Sequence, residues 1–279
     1  MLARQMRTTM SQGIAPQRWM RANRTISATL WLTLLSAAAY GQGPAIDPVI
    51  VTDRPDVTES SIVVPKGSLQ FENGTTWTRD HGQTMLDLPE TLVRLGISAR
   101  SELRIVAPNY LNMLAGSRSE LGFGDVTIGM KQQLGPLPGD FDLSVIVALS
   151  LPSGAHNVSS HGYDPFIKFP WSKDLKNCWS IGGMESVFLY TVDRRRNLTG
   201  ESTFYIEKQI TKLWDAFAEY AGDYSQRGGS KELAHFGTAY KINPKNQIDL
   251  HFGVGVSQVT PGRLFAIGYS FLIDNIWKR

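Results

Sequence analysis

The sequence has little of what a small exported domain or a helical membrane protein needs. Only one of its 279 residues, Cys178, is a cysteine, so the chain cannot form an intrachain disulfide. Small exported domains normally depend on such bridges, whereas a large closed barrel does not. Beyond the N-terminal end, no run approaches the roughly 20 apolar residues of a membrane-spanning helix. The lack of such a run excludes a helical membrane protein, and the single cysteine favours a large closed barrel over a small exported domain.

Acidic residues are missing from the first 24 positions, which carry five arginines and precede an apolar run over residues 26–40. A basic stretch, a short apolar run and small residues at its end predict a secretory signal peptide over residues 1–41. Cleavage is expected after Ala39 or Gly41, and an uncleaved membrane anchor is the alternative. Because the five arginines leave with the signal, the formal charge falls from +3 to −2. The charge then gives no support to nucleic-acid binding.

Strict alternation of apolar and polar residues is the strongest pattern in the rest of the chain. Every second residue is apolar from 248 to 256, and after a turn at 260–262 the same period continues from 265 to 271. A period of two is that of a β-strand with different surroundings on its two faces. On this hairpin alone, a soluble sandwich and an outer-membrane barrel are both open.

The whole chain favours the barrel. Strand-like windows of about ten residues, the length of a tilted strand crossing a membrane, recur after residue 66. They cover residues 67–78, 85–98, 102–114, 122–134, 141–151, 164–171, 178–191, 201–210, 213–224, 233–242, 247–257 and 263–271. Trp and Tyr near the strand ends resemble the aromatic girdles of a membrane barrel. We therefore predict an all-β fold, an antiparallel transmembrane β-barrel of about 12 strands.

The predicted organisation is an irregular N-terminal segment at 42–65, the barrel at 66–272 and a C-terminal tail at 273–279. With both ends in the periplasm, the longer connections at 112–121 and 152–163 lie outside the cell, as in bacterial outer-membrane barrels. Phe271 is the expected aromatic residue read by the barrel-insertion machinery, although eight residues follow it. The expected location is the bacterial outer membrane, with outer-membrane lipid as a partner.

A series of short motifs carries a family resemblance. The motifs are Thr52-Asp53-Arg54-Pro55-Asp56, Glu59-Ser60, Leu88-Pro89-Glu90, Arg94-Leu95-Gly96-Ile97, Glu102-Leu103-Arg104, Gly122-Phe123-Gly124-Asp125, Leu151-Pro152-Ser153-Gly154 and Gln247-Ile248-Asp249-Leu250. In their order and spacing, over about residues 50–271, they resemble the outer-membrane transporter family named for the meta-pathway of phenol degradation. The resemblance implies a bacterial outer-membrane β-barrel that takes up a small, hydrophobic or aromatic solute.

Catalytic chemistry has little support in the sequence. Asp249 and His251 share one face of a strand, but Ser257 on the same face lies roughly 20 Å away, too far to be activated as a nucleophile. We expect Asp249 and His251 to form a hydrogen-bonded pair in the lumen. No phosphate-binding loop, zinc spacing or calcium loop occurs. We expect no enzyme, metal or cofactor; the alternatives are a barrel enzyme acting on lipid or lipopolysaccharide, and a purely structural barrel.

The N-terminal segment is too polar for contact with lipid, and a twelve-stranded lumen is narrow enough to need charges in pairs. We predict that the segment enters the periplasmic mouth as a plug, with Arg54 meeting Glu90 or Glu102, and with Asp53 or Asp56 meeting Arg94 or Arg104. The candidate lumen and plug residues are Asp53, Arg54, Asp56, Glu90, Arg94, Glu102, Arg104, Asp125, Asp249 and His251. A disordered periplasmic lead is the alternative.

Overall fold

A computed structural model describes residues 49–80, 82–115, 118–257 and 262–277, so the predicted signal peptide lies outside the described residues. Antiparallel β-strands make up about two thirds of this part of the chain. The segments are β1 (Leu69–Asp80), β2 (Gln83–Leu88), β3 (Leu92–Gly96), β4 (Ser101–Val106), β5 (Tyr110–Ala115), β6 (Arg118–Phe123), β7 (Thr127–Gln133), β8 (Asp142–Ser150), β9 (Asp164–Asp174), β10 (Trp179–Val192), β11 (Arg195–Thr211), β12 (Trp214–Ser225), β13 (Gly229–Asn243), β14 (Asn246–Gly255) and β15 (Arg263–Ile273).

The sheet closes on itself. The last segment, β15, pairs with β1 from Leu69↔Ile273 to Arg79↔Arg263. The other segments pair in order around the wall, with β6 paired to β5 in the described ladders. The segments make a closed antiparallel barrel of 12 strands, because three of the strands are each broken into two pieces. The predicted fold class and strand number are confirmed. No helix among the described residues is long and apolar enough to cross a membrane.

The breaks were not predicted. The windows at 85–98, 102–114 and 122–134 were each expected to be one strand, but β2 is separated from β3, β4 from β5, and β6 from β7. Pro89 and Pro108 lie in the first two breaks, where proline lacks the N–H that a ladder needs. Gly124 lies in the third break. The expected outer connection at 112–121 is also wrong, because most of it belongs to the β5–β6 hairpin.

The two faces of the wall differ as the alternation predicts. On β4, Leu103 and Ile105 are 44% and 47% exposed, while the intervening Glu102 and Arg104 are buried in the lumen. Outward apolar side chains such as Val147 and Phe252 continue this surface around the barrel. Trp179 and Trp214 lie at the outer face near one end of the barrel, as expected of an interfacial girdle. This apolar outer face is suited to lipid.

Both described ends of the chain lie at one end of the barrel, since β1 begins where β15 finishes. The connections at that end are short, and the longest connection at the other end covers residues 151–163. The strand β15 continues to Ile273, beyond the expected boundary at 272. After it, the Ile276 amide donates to the Gly67 carbonyl at 2.9 Å, and Lys245 pairs with Asp274 at 2.8 Å. The tail thus packs against the beginning of the barrel.

Candidate functional site: the occupied lumen

Residues 49–65, here called the lumen segment, lie inside the barrel. The segment starts at the end that holds both termini, where the Ile50 amide donates to the Pro244 carbonyl at 2.7 Å. It reaches the middle of the wall at Glu219 and returns to β1. A segment without strand partners must find other acceptors for its N–H groups. Wall carboxylates supply them: Glu72 accepts from the Asp53 amide at 2.8 Å, and Glu102 from the Val64 amide at 2.6 Å.

Ion pairs join one side of the lumen segment to the wall. Asp53 accepts from Arg104 at 2.5 Å and from Lys131 at 2.9 Å, and lies 3.4 Å from Arg94. Glu59 bridges Arg104 at 2.5 Å and Lys168 at 2.6 Å. These wall cations project inward from β3, β4, β7 and β9. The two segment carboxylates therefore bind four strands together from within.

The charges of this cluster balance only when the segment is present. The wall supplies four cations and two carboxylates, and the segment supplies the other two carboxylates. The members are Arg94, Arg104, Lys131, Lys168, Glu72 and Glu102 from the wall, and Asp53 and Glu59 from the segment. Arg94 and Lys131 are fully buried. Because buried charges without partners are costly, the segment neutralises two wall charges that the strands alone leave unpaired.

Arg54 makes a second set of contacts near β1, β14 and β15. Its Nη1 lies 2.7 Å from Glu90, in the break between β2 and β3, and its Nη2 lies 3.5 Å from Asp249. The guanidinium fits there because Gly74 and Gly268 leave the inner wall bare, and a Cβ at either position would collide with it. The same Nη2 lies 3.4 Å from Nε2 of His251. Arg54 therefore contacts three of the predicted site residues.

Glu219 receives the tip of the lumen segment. Its carboxylate accepts from the Val57 amide at 2.9 Å, from the Thr58 amide at 2.7 Å and from the Thr58 hydroxyl at 2.6 Å. A fourth contact, at 2.8 Å, joins it to Nδ1 of His235 on β13. The Thr58 hydroxyl also lies 2.5 Å from that of Thr203. This carboxylate is fully buried, and its acceptor sites are used by the segment and by one histidine.

Some predicted site residues lie apart from these clusters. Asp56 pairs with neither Arg94 nor Arg104 in the described part of the chain; it lies near Glu219 and Glu207 and faces the open side of the lumen. The expected hydrogen bond between Asp249 and His251 is wrong, because His251 contacts His235 and Arg54 instead. Within the described part of the chain, the Asp249 oxygens have no hydrogen-bond partner, and the nearest cation is Arg54 at 3.5 Å.

Asp125 is the predicted site residue furthest from the lumen segment. It lies between β6 and β7 and accepts from the amides of Gly154 at 2.8 Å and Ser160 at 2.9 Å. Partial burial would raise the pKa of Asp125, but these and neighbouring hydrogen bonds outweigh burial and lower it below its ordinary value. Asp125 therefore fastens the outer connection at 151–163 and takes no part in the lumen clusters.

A cavity of about 290 Å³ lies between the lumen segment and the wall of β9–β14. It is on the side opposite most of the ion pairs. Its wall residues include Asp174, Glu207, Asp215, Tyr205, Phe217 and Lys241. Lys241 pairs with Asp215 at 2.9 Å, and Asp56 faces them from the segment. Among the residues that the structure describes, no group of three or more His, Cys, Asp or Glu is placed to hold a metal ion.

Five residues of the site were not among the candidates that the sequence predicts. They are Glu72, Lys131, Lys168, Glu219 and His235. Each occupies an inward position of a strand in which apolar and polar residues alternate, so this alternation could have identified them as lumen residues. The predicted contacts of the segment were restricted to strands near β1, whereas the lumen segment crosses the barrel as far as β12. How far an irregular segment extends across a closed barrel cannot be predicted from the sequences of the strands next to it.

Comparison with solved structures places this architecture among outer-membrane barrels. An outer membrane channel from Pseudomonas putida F1 is 12% identical, with a TM-score of 0.54 over 76% of this chain and 98% of that one. The NanC porin is 11% identical (TM-score 0.53; 73% and 98% covered), and the KdgM porin 9% (TM-score 0.51; 73% and 98%). At these identities the likeness is one of fold, and with the apolar outer face it locates the chain in the bacterial outer membrane.

Sequence comparison gives the family. No curated protein matches the chain. The family model described as MetA-pathway of phenol degradation matches residues 52–273, which include the lumen segment from Thr52 onward and the whole barrel. The motifs that carried the resemblance all lie within this range. This chain belongs to the MetA-pathway of phenol degradation family.

Proposed function

We propose that the protein is an outer-membrane channel for the uptake of a small hydrophobic or aromatic solute, and that the lumen segment is its plug. The observation that carries the proposal is the charge balance inside the barrel. In the ion-pair cluster, four wall cations and two wall carboxylates are completed by Asp53 and Glu59 of a segment that belongs to no strand. A purely structural barrel would fill its lumen with side chains of the wall itself.

The nature of the contacts supports a plug that can move. Ion pairs and hydrogen bonds hold the segment along most of its length, and water that enters as the segment opens can replace these polar contacts. The described buried apolar cluster that the segment joins consists of Ile50, Val64 and Leu272, at the end where the chain enters. The tip of the segment can therefore leave the wall while its base stays attached to the barrel.

The cavity supports a path beside the plug. It lies beside the contacts of Thr58 with Glu219 and of Ser61 with Ser172, and it leaves open space between the segment and part of the β9–β14 wall. Tyr205 and Phe217 give this wall aromatic surface. Displacement of the tip alone would extend the cavity along the barrel axis. The family's name refers to phenol degradation, which agrees with a solute of phenol's size and character. The similar fold from Pseudomonas putida F1 is an outer membrane channel, which agrees with passage through the barrel.

Deletion of residues 49–64 tests the proposal. Refolded full-length and deleted chains are compared in planar bilayers, and in liposomes whose swelling reports the entry of phenol or of a sugar of similar size. We expect a higher conductance and faster swelling for the deleted chain, with phenol preferred to the sugar. Asp140→Asn, at an exposed turn, is the control and should leave both measurements unchanged. Equal conductance of the full and deleted chains would overturn the proposal.

A further inference from the structure

Two buried histidines connect the tip of the lumen segment with Arg54. His235 on β13 lies 2.8 Å from Glu219 through Nδ1 and 2.5 Å from Nδ1 of His251 through its Nε2. His251 on β14 then faces Nη2 of Arg54 through its own Nε2, at 3.4 Å. The two rings stand nearly perpendicular, with centroids 4.7 Å apart. We call Arg54, His251, His235 and Glu219 the histidine chain.

The donors along the histidine chain follow from its two ends. Arg54 has only N–H groups, so Nε2 of His251 must accept, and the proton of that ring is then on Nδ1. That proton is donated to Nε2 of His235, whose own proton on Nδ1 is donated to Glu219. Every donor points from Arg54 toward Glu219. The three contacts are satisfied together only when both imidazoles are neutral.

One added proton changes the direction of hydrogen-bond donation between His235, His251 and Arg54. If His235 takes a proton, both of its nitrogens carry hydrogen, and it pairs as a cation with Glu219. Its Nε2–H then donates to His251, which must accept through Nδ1 and carry its proton on Nε2. The N–H of His251 now faces the N–H of Arg54, so an attractive contact between plug and wall becomes a contact between two donors. No other proton is gained or lost.

Among the groups around the histidine chain, the carboxylates of Asp56 and Asp249 can also take up a proton, whereas a proton on His235 acts through His251. Glu219 is occupied by Val57 and Thr58, with the carboxylate of Asp56 nearby. Arg54 faces Glu90 and Asp249 on its other sides, and these hold it in front of His251. Phe217 packs edge-on against His235 and offers no proton acceptor. The added proton therefore acts on the contact between Arg54 and His251.

We propose that the histidine chain is a proton-sensitive latch, which holds the plug at neutral pH and releases it when the surroundings become acidic. This inference rests on the proposed plug. Histidine is the side chain that most often serves as a proton switch near physiological pH. A single coupled proton can change the ratio of open to closed channel by at most about tenfold per pH unit.

The test measures the open probability of the full-length channel at pH 7.5, 6.5, 5.5 and 5.0. We expect it to rise as the pH falls, with a slope of at most about tenfold per unit. In His235→Gln, which removes the ring that takes the proton, and in His251→Gln, which removes the ring that passes the change to Arg54, the rise should be lost. His156→Gln removes an exposed histidine of the outer connection and should keep the rise. If one of these two glutamine variants fails to insert into the membrane, the pH response of the other variant tests the latch.

The outcomes separate the two proposals. If deletion of residues 49–64 raises conductance but both glutamine variants keep the pH response of the parent, the latch is wrong and the plug stands. A parent channel whose open probability does not change with pH also overturns the latch. If the deletion leaves conductance unchanged, the plug itself is wrong, whatever the response to pH.

Discussion

Gly74 and Gly268 face each other across the closure between β1 and β15, and together they leave the bare patch of wall on which the Arg54 guanidinium lies. The register makes them direct partners, so the absence of two side chains on one inner surface coincides with the arrival of one long side chain from the lumen segment. The inner wall at the β1–β15 pairing thus leaves space for the Arg54 side chain of the lumen segment.

This relationship predicts the effect of a single methyl group. In Gly74→Ala the new Cβ occupies the place of the guanidinium, and Arg54 must leave Glu90 and Asp249. We expect a higher conductance than in the parent, with the barrel still folded, because a flexible side chain moves more easily than the backbone. Gly200→Ala on β11 is the matched control, since only the Ser186 carbonyl, 4.0 Å away, would lie near its Cβ. An unchanged conductance in Gly74→Ala would contradict this role for Arg54.

The charge balance predicts the effect of removing one carboxylate. Asp53→Asn leaves Lys131 without its carboxylate on the segment and removes one of the two segment carboxylates of Arg104. Breaking a buried pair on one side costs about 3–5 kcal/mol. We expect the segment to be released, so that a protease added on the side of the termini cuts it while the barrel resists. Asp140→Asn, at an exposed turn, should give the cleavage pattern of the parent.

The two faces of the wall predict different penalties for a charge. Phe252→Arg places a guanidinium on the lipid face near the middle of β14 and should cost about 2–4 kcal/mol. Ser180→Arg should cost much less, because its side chain lines the cavity beside Asp174 and Glu207. The free energy of unfolding in urea from lipid vesicles measures both. Equal penalties would indicate a wall with two packed faces.

The bonds of Asp125 predict how the outer connection responds to acid. A lowered pKa in the folded chain means that the stabilisation is present above the ordinary pKa of about 3.9 and is lost only as the pH falls through the lower, folded value. The connection should therefore stay fastened at pH 5.0, where the latch is tested. A protease site inserted in residues 152–163 should be cut slowly on intact cells, faster in Asp125→Ala, and one in residues 135–140 should stay protected. Cleavage only at 135–140 would reverse the assigned orientation.

The barrel could be predicted because its determinants are local. Alternation at Leu103 and Ile105 against Glu102 and Arg104 depends on one strand at a time, and twelve such windows with short turns leave few alternatives. The strand breaks depend on single residues such as Pro89, which interrupt an otherwise good pattern. A pattern averaged over ten residues does not show them.

The lumen could be predicted only in part. The contact of Arg54 with Glu90 was among those expected, since both lie near β1. The contacts with Glu219 and His235 were not, because they depend on how far an irregular segment reaches across a closed barrel. Similarly, His251 pairs with a diagonal neighbour on the next strand rather than with Asp249 on its own. Register between strands decides this, and the sequence of one strand does not contain it.

A reversible bond between the segment and the wall tests the central claim most directly. The hydroxyls of Ser61 and Ser172 lie 2.7 Å apart, so Ser61→Cys with Ser172→Cys, in a Cys178→Ser background, can form a disulfide that holds the plug. Ser61→Cys alone is the control, and oxidation should not affect it. We predict that phenol entry into liposomes falls to background when the double variant is oxidised and returns on reduction. Equal entry in the oxidised and reduced states would contradict the account.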